Sequence, residues 1–138
     1  MSYEGACLCG EIHYRTSDEP VFSANCHCTD CQQVSGSPYA PVMMFSSSGV
    51  EINGSPNYFR STGDSGGEIE RGFCGTCGSQ LFVRLLAMPA LLGIRPGSLK
   101  NSSLFKPAMD IYVASAQPWA HMDPDIPKVQ LSPRGPDA

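Results

Sequence analysis

The chain predicts a mostly β domain held together by metal as much as by apolar packing. Three observations carry that expectation. Short segments of alternating polar and apolar residues recur between Gly and Pro, the chain has only 138 residues, and its seven cysteines fall in chelating groups. Strands at regular spacing separated by turn residues read as an all-β fold, and 14 glycines and 12 prolines supply the turns. A single domain of this length buries a modest core.

The elements follow from local pattern. Residues 11–15 alternate polar and apolar, as a half-buried strand does. Residues 21–25 form a second candidate strand that leads into a cysteine triplet. Residues 39–45 are apolar enough for a buried strand, with Pro41 pointing to an edge or a bulge near its start. Residues 49–54 end in Asn53-Gly54, a pair that tolerates positive φ in a turn. Residues 58–61, 68–73, 80–86 and 109–113 continue the series. One short helix is expected, beginning as the capping box Thr29-Asp30-Cys31-Gln32 and running from Asp30 to Ser35, with Gly36 as a left-handed stop. It places Cys28 and Cys31 at the positive end of the helix dipole, which favours thiolate. From Asp123 to Ala138 the chain is Pro-rich and aperiodic and reads as a tail that lies on the surface or is partly disordered.

Composition narrows the function. A net charge of −4 gives no basic face for nucleic acid. The apolar stretch at 81–94 is broken by Arg84, Pro89 and Gly93, so no membrane span is expected. Met1-Ser2-Tyr3-Glu4 lacks the basic start and apolar run of a secretion signal, so a reducing, cytoplasmic location is expected. An odd number of cysteines in such a compartment fits disulfides poorly and metal well.

The cysteines divide into four and three. Cys7-x-Cys9 and Cys74-x-x-Cys77 are two short chelates that together complete a tetrahedral zinc site, with Gly10, Gly75 and Gly78 available for the tight turns around it. Such a zinc would pin the first strand to the middle of the domain. Cys26, Cys28 and Cys31 leave one coordination position free, where an incoming thiol would be deprotonated. A site of that kind suits the making or breaking of a carbon–sulfur bond, the metal stabilising the charge on sulfur. His27 lies between two ligands and is expected to point away from the metal; the alternative is that it supplies the fourth ligand and closes the site. His13 and His121 read as ordinary histidines; the alternative for His121 is a role near the site, since Trp119 beside it could line a pocket. Ser35, Ser37 and Tyr39 are candidate substrate contacts.

Three stretches then resemble a known family. They are Glu4-Gly5-Ala6-Cys7-Leu8-Cys9-Gly10, Cys26-His27-Cys28-Thr29-Asp30-Cys31-Gln32-Gln33 and Arg71-Gly72-Phe73-Cys74-Gly75-Thr76-Cys77-Gly78-Ser79-Gln80-Leu81. Their order and composition closely resemble the glutathione-dependent formaldehyde-activating (GFA) family, also called the CENP-V/GFA domain family. The likeness runs from Tyr3 to Trp119, and Gly97-Ser98-Leu99 and Gln117-Pro118-Trp119 are similar to its later landmarks. The resemblance implies an Mss4-like β-sheet fold over residues 3–122, with residues 123–138 outside it. It implies a structural zinc on Cys7, Cys9, Cys74 and Cys77 and a second, catalytic zinc on Cys26, Cys28 and Cys31, two ions per chain. It also implies carbon–sulfur lyase activity on a small thiol adduct, the founding case being S-(hydroxymethyl)glutathione formed from glutathione and formaldehyde. The chain departs from the family at Asp110, where many relatives carry histidine, and it is shorter than the founding enzymes.

Two other function classes compete. A zinc-stabilised binding module without catalysis is open to any fold of this kind, because fold does not fix function. A thiol redox enzyme needs a free cysteine of low pKa, and none remains once both metal sites are filled.

Overall fold

The computed structural model describes residues 2–63 and 66–133. Among these, the strands are β1 (Tyr3–Ala6), β2 (His13–Thr16), β3 (Phe22–Cys26), β4 (Ala40–Ser46), β5 (Glu51–Asn53), β6 (Asn57–Thr62), β7 (Glu68–Phe73), β8 (Gln80–Leu85), β9 (Leu91–Ile94) and β10 (Met109–Ile111). One α-helix, α1 (Thr29–Ser35), follows β3, and short 3-10 turns punctuate the rest. All eight strands expected from alternation are present within two residues of their expected bounds. No helix among the described residues is long and apolar enough to cross a membrane.

The strands form two sheets. The smaller has the order β1-β2-β5 and is antiparallel. The larger has the order β10-β3-β4-β9-β8-β7-β6, antiparallel except where β10 lies parallel to β3. β4 is therefore central, and Pro41 does not mark an edge strand. It sits beyond the reach of β9, whose pairing stops at Met43, so no partner there asks for the missing N–H. Its carbonyl accepts from Arg95 Nη1 at 3.1 Å instead.

Period-two alternation gives the large sheet two different faces. Met43 and Phe45 of β4, Leu92 and Ile94 of β9 and Phe82 of β8 point to one side. There they meet Tyr3, Ile12 and Tyr14 of the small sheet and its flanks in the main apolar core. Tyr3 stands edge-on to Phe45 at 5.2 Å, and Tyr14 edge-on to Phe82 at 5.5 Å. The opposite face follows from the register. Phe22 pairs with Met44, Met44 with Gly93, Gly93 with Val83 and Val83 with Arg71, so these residues share one side. β9 was not expected from the sequence, because it is short and interrupted by Gly93. The glycine suits the packing, since a Cβ there would stand 2.9 Å from Val42 Cγ2 and 3.0 Å from Met44 Sδ and those side chains would have to give way.

The chain after Asp123 runs beside β10 as far as it is described. Asp110 N donates to Pro127 O at 2.9 Å, Val129 N to Asp110 O at 3.0 Å and Tyr112 N to Leu131 O at 3.1 Å. Residues 134–138 of the expected tail lie outside the described residues. Asp110 is 1% exposed; Oδ1 lies 3.0 Å from His27 Nε2 and Oδ2 lies 3.6 Å from Lys128 Nζ, which ties this strap to the back of β3.

Two tests follow from this packing. Met43→Ala should cost about 2–5 kcal/mol, as for a filled core site. Met44→Ala should cost less, about 1.5–2 kcal/mol, because open space already borders that side chain and little new cavity is made. Urea unfolding of both variants measures the difference, and equal costs would contradict the two-faced sheet. Asp110→Ala leaves His27 without its partner and should cost about 1–3 kcal/mol. Amide exchange at Val129 should quicken with it; unchanged exchange would show that the strap does not depend on the carboxylate.

Candidate metal centres

Cys7 and Cys9 lie in the turn after β1, Cys74 and Cys77 in the turn between β7 and β8. Their four Sγ atoms are all within 4.8 Å of one another. Sγ–Sγ distances are 3.6 Å for Cys7–Cys9 and 3.7 Å for Cys9–Cys74. A tetrahedron of sulfurs at ~2.3 Å from a zinc has edges of about 3.8 Å, so the set fits that ion. The same separations are far too long for disulfides, and all seven cysteines are free thiols.

Both turns are shaped for this purpose. Gly10 N donates to Cys7 O at 3.0 Å and Gly78 N to Cys74 O at 2.8 Å, and the two glycines adopt φ of 83° and 78°. Those values exclude most side chains. Gly75, expected to do the same, does not turn left-handed. A Cβ there would instead stand 2.6 Å from Asn57 Nδ2. Ile12 N donates to Cys7 Sγ at 3.3 Å, and Leu8 N reaches Ser79 Oγ at 3.0 Å across the two turns. The Ser79 hydroxyl also faces Cys77 Sγ at 3.2 Å and lowers that thiol's pKa to about 5. A cation here would join the small sheet to the β7–β8 hairpin at the edge of the main core.

Cys26, Cys28 and Cys31 form the second group, again with their sulfurs within 4.8 Å of one another, and all three are buried. Among the described residues no fourth Cys, His, Asp or Glu completes it. Cys26 ends β3 on the side away from the main core, and its neighbour His27 continues the strand through His27 N to Ile111 O at 2.9 Å. Alternation therefore sends the imidazole to the other side of the sheet, where it is 0% exposed, held by Asp110 and tilted against Tyr39 at 4.9 Å. His27 points away from the sulfurs, as expected. Asp110, the residue at which the chain was expected to depart from the family, holds that imidazole from behind.

The helix start differs from the expected capping box. Cys28, not Thr29, is the N-cap, and its Sγ accepts from Cys31 N at 3.3 Å. Gln32 Nε2 donates to His27 O at 2.7 Å and Ser115 O at 3.0 Å, anchoring the loop to the chain after β10. Gly36, with φ 65°, ends the helix as expected. Ser35 and Ser37 are consumed in this turn: Ser35 Oγ donates to Cys31 O at 2.6 Å and Ser37 Oγ to Tyr39 O at 2.6 Å.

The trio opens on a cavity of about 350 Å³ along the second face of the large sheet. Phe22, Val42, Met44, Val83, Leu91 and Ile111 are among its walls. Ser35, Ser37, Tyr39 and His121 are not, and Trp119 is 67% exposed elsewhere. His13 lies on the small sheet, in a separate polar recess. Two residues without an expected role do line the cavity, Arg71 and Arg95. Interaction with the Cys26 and Cys28 thiols, aided by the charges of Arg95 and Arg71, draws Cys31 down to about 2. Cys26 is pushed far above the ordinary thiol range, chiefly by Cys28 and Cys31. The group thus holds one thiolate readily and resists the others until a cation is present, which is the property of a metal-ligand set.

With this geometry in view, likenesses to other proteins can be placed. Residues 2–115 match the family model described as glutathione-dependent formaldehyde-activating enzyme. An uncharacterized lyase of Schizosaccharomyces pombe is 33% identical over 81 residues, which cover 58% of this chain and 56% of that protein. The matched stretch thus spans little more than half of the yeast relative. A crystal structure of a Rhodobacter sphaeroides protein, a structural genomics target, shares the fold, with a TM-score of 0.57 at 15% identity over 91% of this chain and 99% of that one. The fold is the expected mostly β, Mss4-like arrangement. Motifs, fold and the match over most of its length place this chain in the glutathione-dependent formaldehyde-activating enzyme family.

Proposed function

We propose that the protein is a zinc-dependent carbon–sulfur lyase acting on a small thiol adduct, of which S-(hydroxymethyl)glutathione is the family's founding example. The single observation that supports this most is the incomplete sulfur set. Three buried thiols converge at the wall of a cavity with no fourth protein ligand among the described residues, whereas the other four converge as a closed set. The lyase name of the yeast relative is in keeping with that reading.

Zinc bound to Cys26, Cys28 and Cys31 would supply Lewis-acid stabilisation of negative charge on a substrate sulfur. The chain's own groups do the rest. In an adduct of the form RS–CH(OH)R′, the carbon–sulfur bond breaks with both electrons going to sulfur, the hydroxyl proton leaves and the carbonyl of the aldehyde forms; the reverse condenses aldehyde and thiol. Arg95 puts positive charge beside the trio, which favours the departing thiolate. Apolar walls from β3, β4, β8 and β9 exclude water and strengthen that attraction. The Asp110–His27 pair, together with Gln32, fixes the loop that carries the three sulfurs. Cys7, Cys9, Cys74 and Cys77 would hold a second zinc with a structural role only.

Elemental analysis should approach two zinc ions per chain when both groups of cysteines are filled. Cys28→Ser should remain folded, hold about one zinc per chain and fail to bind substrate thiols. Cys74→Ser should lose cooperative unfolding, because the closed set joins the two sheets. If Cys28→Ser instead unfolds as Cys74→Ser does, the trio is structural and the lyase reading falls in favour of a zinc-stabilised module without catalysis.

A further inference from the structure

The cavity in front of the trio is larger and more apolar than a one-carbon fragment requires. Its volume of about 350 Å³ holds on the order of ten non-hydrogen atoms, taking roughly 30 Å³ for each water-sized group. Phe22, Met44, Val83 and Leu91 form a continuous apolar wall across β3, β4, β8 and β9. A peptide-like ligand would bring several amide groups against that wall, and each loses its water without gaining a partner.

A buried charged group interrupts the wall. Arg71 projects from the middle of β7 on the cavity face, opposite Val83, and is only 4% exposed. Its Nη1 donates to Ser61 Oγ at 2.9 Å, while Nε has no hydrogen-bond partner. Among the described residues no carboxylate lies within ion-pair distance of it. Glu68, at the cavity rim, is engaged by Arg60 at 3.6 Å. A buried guanidinium with no carboxylate partner among the described residues is costly until an anion meets it at its cavity edge. Arg95 adds a second positive charge to the cavity, and Asp30 of α1 is the other acid there.

We infer that the substrate thiol carries an apolar carbon chain ending in a carboxylate, with its sulfur at Cys26, Cys28 and Cys31, its chain against Phe22, Met44, Val83 and Leu91, and its carboxylate on Arg71. The sulfur end rests on the lyase reading above; the chain and carboxylate ends rest on the cavity alone. The chain's size follows from the cavity's volume of about 350 Å³, which admits about six carbons with the sulfur and carboxylate, and glutathione is the poorer fit.

Calorimetric titration of the zinc-loaded full chain tests this with four thiols and one acid. 6-Mercaptohexanoate should bind at least about tenfold tighter than 2-mercaptoethanol, than 6-mercaptohexanol and than glutathione. Hexanoate, which has no sulfur, should bind measurably. Leu91→Trp, which fills the cavity from its rim, should abolish hexanoate binding and leave 2-mercaptoethanol unaffected. Arg71→Met should erase the preference for the carboxylate over the alcohol. In the wild-type protein alone, affinities indifferent to chain length and to the carboxylate, with no binding of hexanoate, would overturn the inference while small thiols still bound. Binding of hexanoate with the expected preferences, to which the sulfur adds nothing, would uphold the cavity assignment and overturn the lyase reading.

Discussion

Everything in this fold depends on the large sheet presenting two unlike faces. One face is sealed by the small sheet through Tyr3, Tyr14, Phe45 and Phe82. The other carries Phe22, Met44 and Val83 toward a cavity that the other described residues leave open. Because side chains alternate along each strand, a shift of one residue in register would exchange the faces and bury the wrong set. The same alternation separates Cys26 from His27, placing sulfur on the open face and imidazole behind it.

The two cysteine sets divide the work that a small domain cannot do with apolar burial alone. The closed set stands where the β1 turn meets the β7–β8 turn, so a cation there links elements more than sixty residues apart in the chain. Links of that kind constrain the unfolded chain most, as loop-closure entropy grows with the length enclosed. The open set lies on β3 and α1, elements already held by β4, by β10 and by Gln32, so under the lyase reading it would serve chemistry rather than folding.

Much of this was legible in the sequence where the signal is local. Chelate spacing identified both cysteine groups, alternation identified eight strands, and Gly36 marked the end of α1. What was hidden depends on neighbours far away in the chain. Arg71 precedes Cys74 in a recognised motif, yet its place on the cavity wall follows from the order β4-β9-β8-β7, which no local pattern encodes. β9 escaped notice because Gly93 breaks its run, for the sake of contact with Val42 and Met44. The strap beside β10 is held by backbone hydrogen bonds and leaves no side-chain period to read. Thr29 and Gln32 had the form of a capping box, but the Cys28 sulfur takes the cap itself and releases Gln32 to bind the neighbouring loop.

The most direct test of the account is zinc K-edge X-ray absorption on metal-replete protein, before and after addition of excess thiol. An open three-sulfur site beside a closed four-sulfur site predicts an average of between three and four sulfurs per zinc at rest, rising toward four when thiol is added. An average of four sulfurs at rest, unchanged by thiol, would contradict it.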